Sequence, residues 1–386
     1  LEGLGEVGVR AAEVEVGDFV ITHTGASREV VENHDQGVRD ILTIRTAHNR
    51  TINAHPDHPF LTPAGWIPAK DLIPGDVLAQ QRDFAIENTS GRTREEFALA
   101  GYLMAYGFVR NRSYSRIRKI DLRFRSDDPV ITQDVLSLAK NLGYTGRVKM
   151  GISYNEEVRT LTFPEPFKFW LQQNDLWDVE RITMRVPAWV FKGSLLEISA
   201  FVGAVFSMDA TVAPKRSKHT GAQRQISFKL RNSGLCRDMQ NLLMRMGARS
   251  GLYSVVERCY NYEPTKFWKL TIHHDEDIAL LRRNLRIVGT NRRVWDQPIA
   301  VRKFFDARYG EDMIVSIEPG DPRETKCLTV DTDHSFLADG IVVHNSTYGS
   351  RLFPSWWLGR RENKKWLQAG HTQKFAEKEF GKKTQI

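Results

Sequence analysis

Two stretches of small and apolar residues, Phe97–Phe108 (FALAGYLMAYGF) and Ile198–Asp209 (ISAFVGAVFSMD), lie about 100 residues apart. Each is followed by strand-like alternation and then by a helical pattern that stops at a glycine. In the first unit these are Ile120–Ser126 and Ile131–Leu142, closed by Gly143. In the second they are Ile226–Asn232 and Cys236–Met246, closed by Gly247. Alternation with period two marks a strand, and a glycine after a helical run supplies the left-handed residue that ends it. A whole unit that recurs is an internal duplication. It constrains the fold strongly. Helices with glycine and alanine along one face can approach backbone to backbone, so the two small-residue helices are expected to pack across a pseudo-two-fold axis. The middle of the chain is therefore expected to be α+β.

Charge divides the chain along the same lines. Residues 92–310 carry a net +15, whereas 1–91 carry −7, 311–345 carry −6 and 346–386 carry +6. The overall +8 is what remains after cancellation. A basic block between acidic flanks predicts modules with different partners, and an anionic one for the block. The flanks read as β structure. Val14–Val20 carries the turn Gly17-Asp18, and Pro74-Gly75-Asp76 echoes it near Leu72–Val77. Ile41–Arg45 and Thr51–Ala54 alternate. Met313–Ile317, Lys326–Val330, Ser335–Leu337 and Ile341–Val343 are short strand candidates, with Asp339-Gly340 as the turn between the last two. Three cysteines are too few for a disulfide framework, which points to a reducing compartment. The longest apolar stretch, Ile198–Met208, is far short of the roughly 20 residues a membrane span needs. Leu1–Val20 is acidic and glycine-rich, unlike a signal peptide.

The repeated helices resemble the signature helices of the LAGLIDADG homing endonucleases. Leu99–Gly107 matches the first and Phe201–Val212 the second. The resemblance implies a DNA-binding domain over residues 92–310, with an acidic residue at each helix end near the scissile phosphates and holding Mg²⁺. Asp209 stands at that position in the second helix. Tyr106 occupies the first and offers no carboxylate, so metal binding and double-strand cleavage are expected to be impaired. An active endonuclease is the alternative, as is a DNA-binding module without self-processing. Basic residues around the strands are the candidate contacts to double-stranded DNA: Arg112, Arg116, Arg118, Arg123 and Arg125 in the first unit, and Lys215, Arg224, Lys229 and Arg231 in the second.

The acidic flanks resemble the two halves of an intein splicing domain, an all-β Hint horseshoe interrupted by the endonuclease unit. Asp333–Ser346 (DHSFLADGIVVHNS) matches an intein C-terminus. The resemblance implies that the Asn345 side chain cyclises onto its own carbonyl and breaks the bond to Ser346. His344 assists at that carbonyl or at the leaving amine, His334 assists as a second histidine, and the Ser346 hydroxyl accepts the upstream segment. Thr51–Phe60 resembles the segment whose histidine, here His58, activates the upstream amide. His55 stands where threonine is usual. A metal on His55 and His58 is disfavoured, because on a strand two side chains three residues apart face opposite ways. Trp66 is read as core. Splicing itself needs no cofactor.

Inteins of this kind open on Cys or Ser, whereas this chain opens on Leu1. The expectation is a missing first strand and nucleophile together with the upstream flank. The rival is Cys327 as a replacement nucleophile; otherwise it is a buried thiol, and Cys236 and Cys259 are structural. Residues 346–386 resemble a phage terminase large subunit just after its Walker A motif, a short α/β fragment with Ser346 as the Mg²⁺-binding hydroxyl. A monomer in the cytoplasm of a phage's bacterial host is the expected setting.

Overall fold

The computed structural model describes residues 11–84, 87–106, 108–110, 119–124, 128–153, 156–177, 179, 182–217, 221–257, 264–289, 295 and 309–344. The N-terminal flank forms six strands: β1 (Phe19–Ile21), β2 (Ser27–Thr46), β3 (Thr51–Ala54), β4 (Pro59–Thr62), β5 (Gly65–Pro68) and β6 (Val77–Gln81). Two consecutive units of the same element order follow. The first is α1 (Arg94–Tyr106), β7 (Phe108–Arg110), β8 (Lys119–Phe124), α2 (Pro129–Asn141), β9 (Arg147–Ser153), β10 (Glu156–Pro164) and α3 (Pro166–Gln173). The second is α4 (Leu195–Asp209), β11 (Thr211–Ser217), β12 (Gly221–Leu230), α5 (Ser233–Arg245), β13 (Gly251–Glu257), β14 (Thr265–Ile272) and α6 (Asp275–Asn284). The chain then returns through β15 (Tyr309–Val330), β16 (Ser335–Ala338) and β17 (Ile341–His344).

Both flanks build one antiparallel nine-stranded sheet. Its order is β1-β2-β15-β6-β17-β4-β5, with β3 on β2 and β16 on β17. The insertion is topologically cheap, because β6 ends and β15 begins side by side: Tyr309 is the Cα partner of Gln81. A chain that leaves and re-enters a sheet at paired positions disturbs no strand between them. The core of this sheet gathers Val30, Ile44, Phe60, Leu78, Leu328, Ile341 and Val343, all buried.

The expected short strands 313–317 and 326–330 are one continuous strand. Pro319 and Pro322 lie within it, although proline cannot donate to a ladder. The ladder with β2 shifts register between Gly320 and Arg323, and again at three other places. Bulges of this kind pass extra residues without ending the pairing.

The inserted units repeat down to strand order, β7-β8-β10-β9 in one and β11-β12-β14-β13 in the other. This is the α+β architecture that the duplication predicted, with four strands per unit where sequence alternation marked one. The helices begin earlier than their apolar periodicity, because polar caps start them. The Asp128 side chain accepts from the Val130 N–H, Asn232 accepts from Leu235 N–H, and Ser194 forms a capping box with Glu197. Gly143 and Gly247 follow α2 and α5 with positive φ of 88° and 79°.

Helices α1 and α4 pack against each other as the small residues require. A Cβ on Gly101 would run into the Phe201 carbonyl oxygen and lie 3.0 Å from the Ala204 Cβ. Gly203 serves a different contact. Its missing Cβ makes room for the Arg286 backbone oxygen, 2.8 Å from where that atom would sit, in the segment after α6. Among the described residues, no helix is long and apolar enough to cross a membrane.

Candidate functional site

His58, His334 and His344, three of the residues expected to act in splicing, lie on or beside β4, β16 and β17. Val343 is the Cα partner of Phe60, and His344 is that of Ser335 on β16. His58 sits in the turn just before β4. That turn is locked by backbone bonds: His58 N–H donates to His55 O (2.9 Å), Ala69 N–H to His58 O (2.9 Å) and Lys70 N–H to Pro56 O (2.8 Å). The His58 ring lies edge-on to Phe60 at 5.7 Å between centroids and 6.2 Å from the Phe336 ring. Part of the residue reaches solvent, but the ring is enclosed by aromatic carbon and by histidines. Loss of hydration, then the proximity of His344 and of His55, pushes its pKa down to about 4. His58 is therefore neutral at pH 7 and able to accept or share a proton. The coupling to His344 places the two predicted histidines in one electrostatic site.

Trp66 departs from the expectation of a core residue. It lies on β5 opposite Leu61, is 39% exposed, and stands perpendicular to the His344 ring at 4.8 Å. At four residues, β5 is too short for alternation in the sequence to show which way Trp66 faces. An edge-to-face contact of this kind fixes ring orientation.

Beside His344, Ser335 is fully buried and its hydroxyl meets His23. The His23 N–H donates to Ser335 Oγ (3.1 Å), and Nδ1 lies 2.7 Å from the same atom. His334 has φ of +50°, so the chain turns sharply there before β16. Asp333 ends this turn and accepts from Thr22 Oγ1 (2.7 Å), Thr24 Oγ1 (2.9 Å) and Arg28 Nε (3.0 Å). Burial alone would raise its pKa; these hydrogen bonds and the Arg28 charge outweigh it and hold it at about 2. His23, Thr22, Thr24 and Arg28 were not singled out in the sequence. About 300 residues separate them from Ser335 and Asp333, and no local pattern signals such a contact.

Cys327 is buried on β15 in register with His34, rather than on β17 with His344. Cys236 is buried in α5, where burial pushes its thiol up to about 12, as befits a structural cysteine. Asn345, Ser346, Cys259, Arg112, Arg116, Arg118 and Arg125 lie outside the described residues.

In the inserted units, Asp209 is the last residue of α4 and Tyr106 the last of α1, so the two helix ends correspond. Among the described residues, no group of three His, Cys, Asp or Glu side chains gathers that could hold a metal ion. With tyrosine at one helix end, the donor set does not match a site built from two carboxylates. Arg123 lies on β8 across from Thr160, while Lys215 and Arg224 lie on β11 and β12. Arg231 directly follows β12 and is exposed. Lys229 departs from the expectation. Its ammonium meets both Glu257 oxygens (2.8 and 2.7 Å) and lies 5.0 Å from the Phe267 ring centre, so its charge is already answered across the sheet.

The family model described as the intein splicing domain matches residues 6–345. The chain belongs to the intein splicing domain family. The match starts on the first flank, bridges the inserted units and ends on Asn345. The intein is 24% identical over 391 residues to replicative DNA helicase DnaB of Rhodothermus marinus, covering 80% of this chain and 40% of the helicase. It is 27% identical over 247 residues to protein RecA of Mycobacterium tuberculosis, covering 62% of this chain and 29% of RecA. The chain thus spans less than half the length of these curated relatives. Among solved structures, it is similar to a variant of the Ssp DnaB mini-intein (TM-score 0.26, 11% identity, 85% of this chain and 79% of that one). It is also similar to mesophilic variants of the homing endonuclease I-DmoI (TM-score 0.34, 14% identity, 52% and 97%).

Proposed function

We propose that this intein severs its own backbone between Asn345 and Ser346 and carries an insert that binds double-stranded DNA while being impaired in cutting it. The observation that carries the first part is the placing of His344 at the end of β17, edge-on to Trp66 and coupled to a neutral His58, immediately before the residue on which the family match ends. The chemistry is a cyclisation. The Asn345 side-chain nitrogen attacks the Asn345 carbonyl carbon, and the peptide bond to Ser346 breaks. The proton lost by the attacking amide is balanced by the one gained by the departing Ser346 amine. His344 is positioned to protonate that amine or polarise the carbonyl, and His334 assists from the neighbouring turn. His58 strains and activates the upstream amide, and Ser346 accepts the upstream segment through its hydroxyl. Cys327, buried within the β2–β15 ladder, is the alternative first nucleophile.

For the insert, the duplicated units offer two antiparallel sheets whose strands carry Arg123, Lys215, Arg224 and, at a strand end, Arg231. Phosphate neutralisation does not depend on a metal, so DNA affinity survives loss of cleavage. The flank 346–386 is read as the start of a terminase ATPase, with Ser346 at the Walker A hydroxyl, so that the insertion disables the motor until it is removed. Mass spectrometry tests the processing: wild type releases a 346–386 peptide and Asn345→Ala does not. Plasmid nicking with Mg²⁺ tests the insert. Double-strand cuts abolished by Asp209→Ala would show that Tyr106 does not disable it.

A further inference from the structure

The hairpin that carries His344 is held from both sides, and one side belongs to the insert. The turn Asp339-Gly340 joins β16 to β17, with φ of 49° and 82°. On the sheet side, Gln81 N–H donates to the Gly340 carbonyl (3.3 Å). On the other side stands α5. Arg50, 1% exposed, lies between them. Its Nη1 donates to the Asp339 carbonyl (2.7 Å) and carboxylate (3.1 Å), and also to Asn241 Oδ1 on α5 (3.5 Å). Its Nη2 lies 3.6 Å from Met244 Sδ on the same helix. That sulfur occupies the place a Cβ on Gly340 would need, so a side chain at that position would have to displace Met244. Two more residues of α5 grip the loop that holds Arg50. Arg237 Nη2 donates to Asn49 O (3.0 Å), and Gln240 Nε2 donates to His48 O (3.0 Å). Positions 237, 240, 241 and 244 are spaced as one face of a helix.

Such a seam is costly unless it does something. Arg50 and Asp339 are both buried, and a buried ion pair seldom beats apolar packing for stability; its attested use is to fix one register. Here the register is that of β17, four residues long, with His344 at its far end and Asn345 next in sequence. A tilt at the turn would shift a strand this short as a whole, and His344 with it. Cyclisation needs near-attack geometry, and a misplacement of about 1 Å can cost roughly a hundredfold.

We propose that α5 of the insert positions the C-terminal hairpin for cleavage at Asn345, with Arg50 as the shared fork and Asn241 and Met244 as positioning residues contributed by the insert. This rests on the processing reading above. The insert is then part of the splicing scaffold as well as a DNA-binding unit.

The test uses the full chain and three readouts: release of 346–386, amide hydrogen exchange in β17, and global unfolding. Asn241→Ala with Met244→Ala is expected to slow release about tenfold. It is also expected to speed exchange at Ile341–His344, with exchange in β3 and β4 unchanged. Arg50→Lys, which keeps the charge but loses the fork, should behave likewise. Gly340→Ala should slow release less in a Met244→Ala background than alone, because the steric part of its cost is relieved. Unchanged release and β17 exchange in a folded Asn241→Ala/Met244→Ala variant would overturn the proposal, as would effects of Gly340→Ala and Met244→Ala that simply multiply. If wild type releases nothing, the processing reading fails, and β17 exchange still decides whether α5 holds the hairpin.

Discussion

Replacing His58 with glutamine should flatten part of the acid limb of stability. His58 titrates near 6.5 when unfolded and about 4 when folded, because desolvation and the neighbouring His344 and His55 disfavour its cation. Between those values the unfolded chain binds the proton and the folded chain does not. The stabilisation is therefore complete above pH 6.5, falls as the pH drops toward 4, and is constant below. A gap of that size is worth about 3 kcal/mol in full, of which about 2.5 kcal/mol is lost between pH 7 and pH 4.5. Urea unfolding in an Asn345→Ala background, which blocks processing, measures it at pH 7 and at pH 4.5. The wild-type loss should exceed that of His58→Gln by about 2 kcal/mol or more. His274, held down to about 3 by burial, Arg249 and neighbouring histidines, titrates equally in both proteins and cancels. Parallel losses in the two proteins would refute the claim that His58 is kept neutral by its site.

Three other perturbations address separate parts of the structure. Gly101→Ala forces a methyl group into the Phe201 carbonyl and should cost about 1–3 kcal/mol in thermal unfolding, with DNA affinity falling alongside. Asp333→Asn should destabilise by roughly 1–2 kcal/mol at neutral pH, because three donors lose a charged acceptor. That difference should persist down to about pH 4 and vanish as the pH falls through 2, where the wild-type carboxylate is itself protonated. Trp66→Ala should slow release of 346–386 several-fold while Trp66→Phe retains most of it, since an edge-to-face partner is worth about 1 kcal/mol; peptide release followed by mass spectrometry measures both.

Much of the architecture was legible because it is written in local periodicity. The spacing of Gly101 and Ala204 within small-residue runs foretold two helices in close approach, and Gly143 and Gly247 marked where α2 and α5 stop. Helix starts were read late, since Asp128, Asn232 and Ser194 act through single capping bonds that leave no apolar trace. The long β15 shows in the sequence only as two short strands, because the residues between them lack clear alternation and pair through a bulged ladder. At the site, His58, His334 and His344 were found from motif context, whereas their neighbours His23, Arg28 and Thr22 were not. Those contacts join chain segments about 300 residues apart and exist only once β1 lies beside β16. The same holds for the Arg50–Asp339 pair: Asp339 stands out in sequence only as a turn residue and Arg50 not at all, and only the fold reveals that an inserted helix stands against both.

Whether Asn345 itself breaks the chain is decided by the intact mass of the upstream fragment. Cyclisation leaves residues 1–345 ending in a succinimide, lighter by one water than the product of simple hydrolysis, together with a peptide beginning at Ser346. Freshly purified wild type should show that lighter mass, and Asn345→Ala should not. A fragment of hydrolytic mass from the outset, or equal cleavage in Asn345→Ala, would contradict cyclisation.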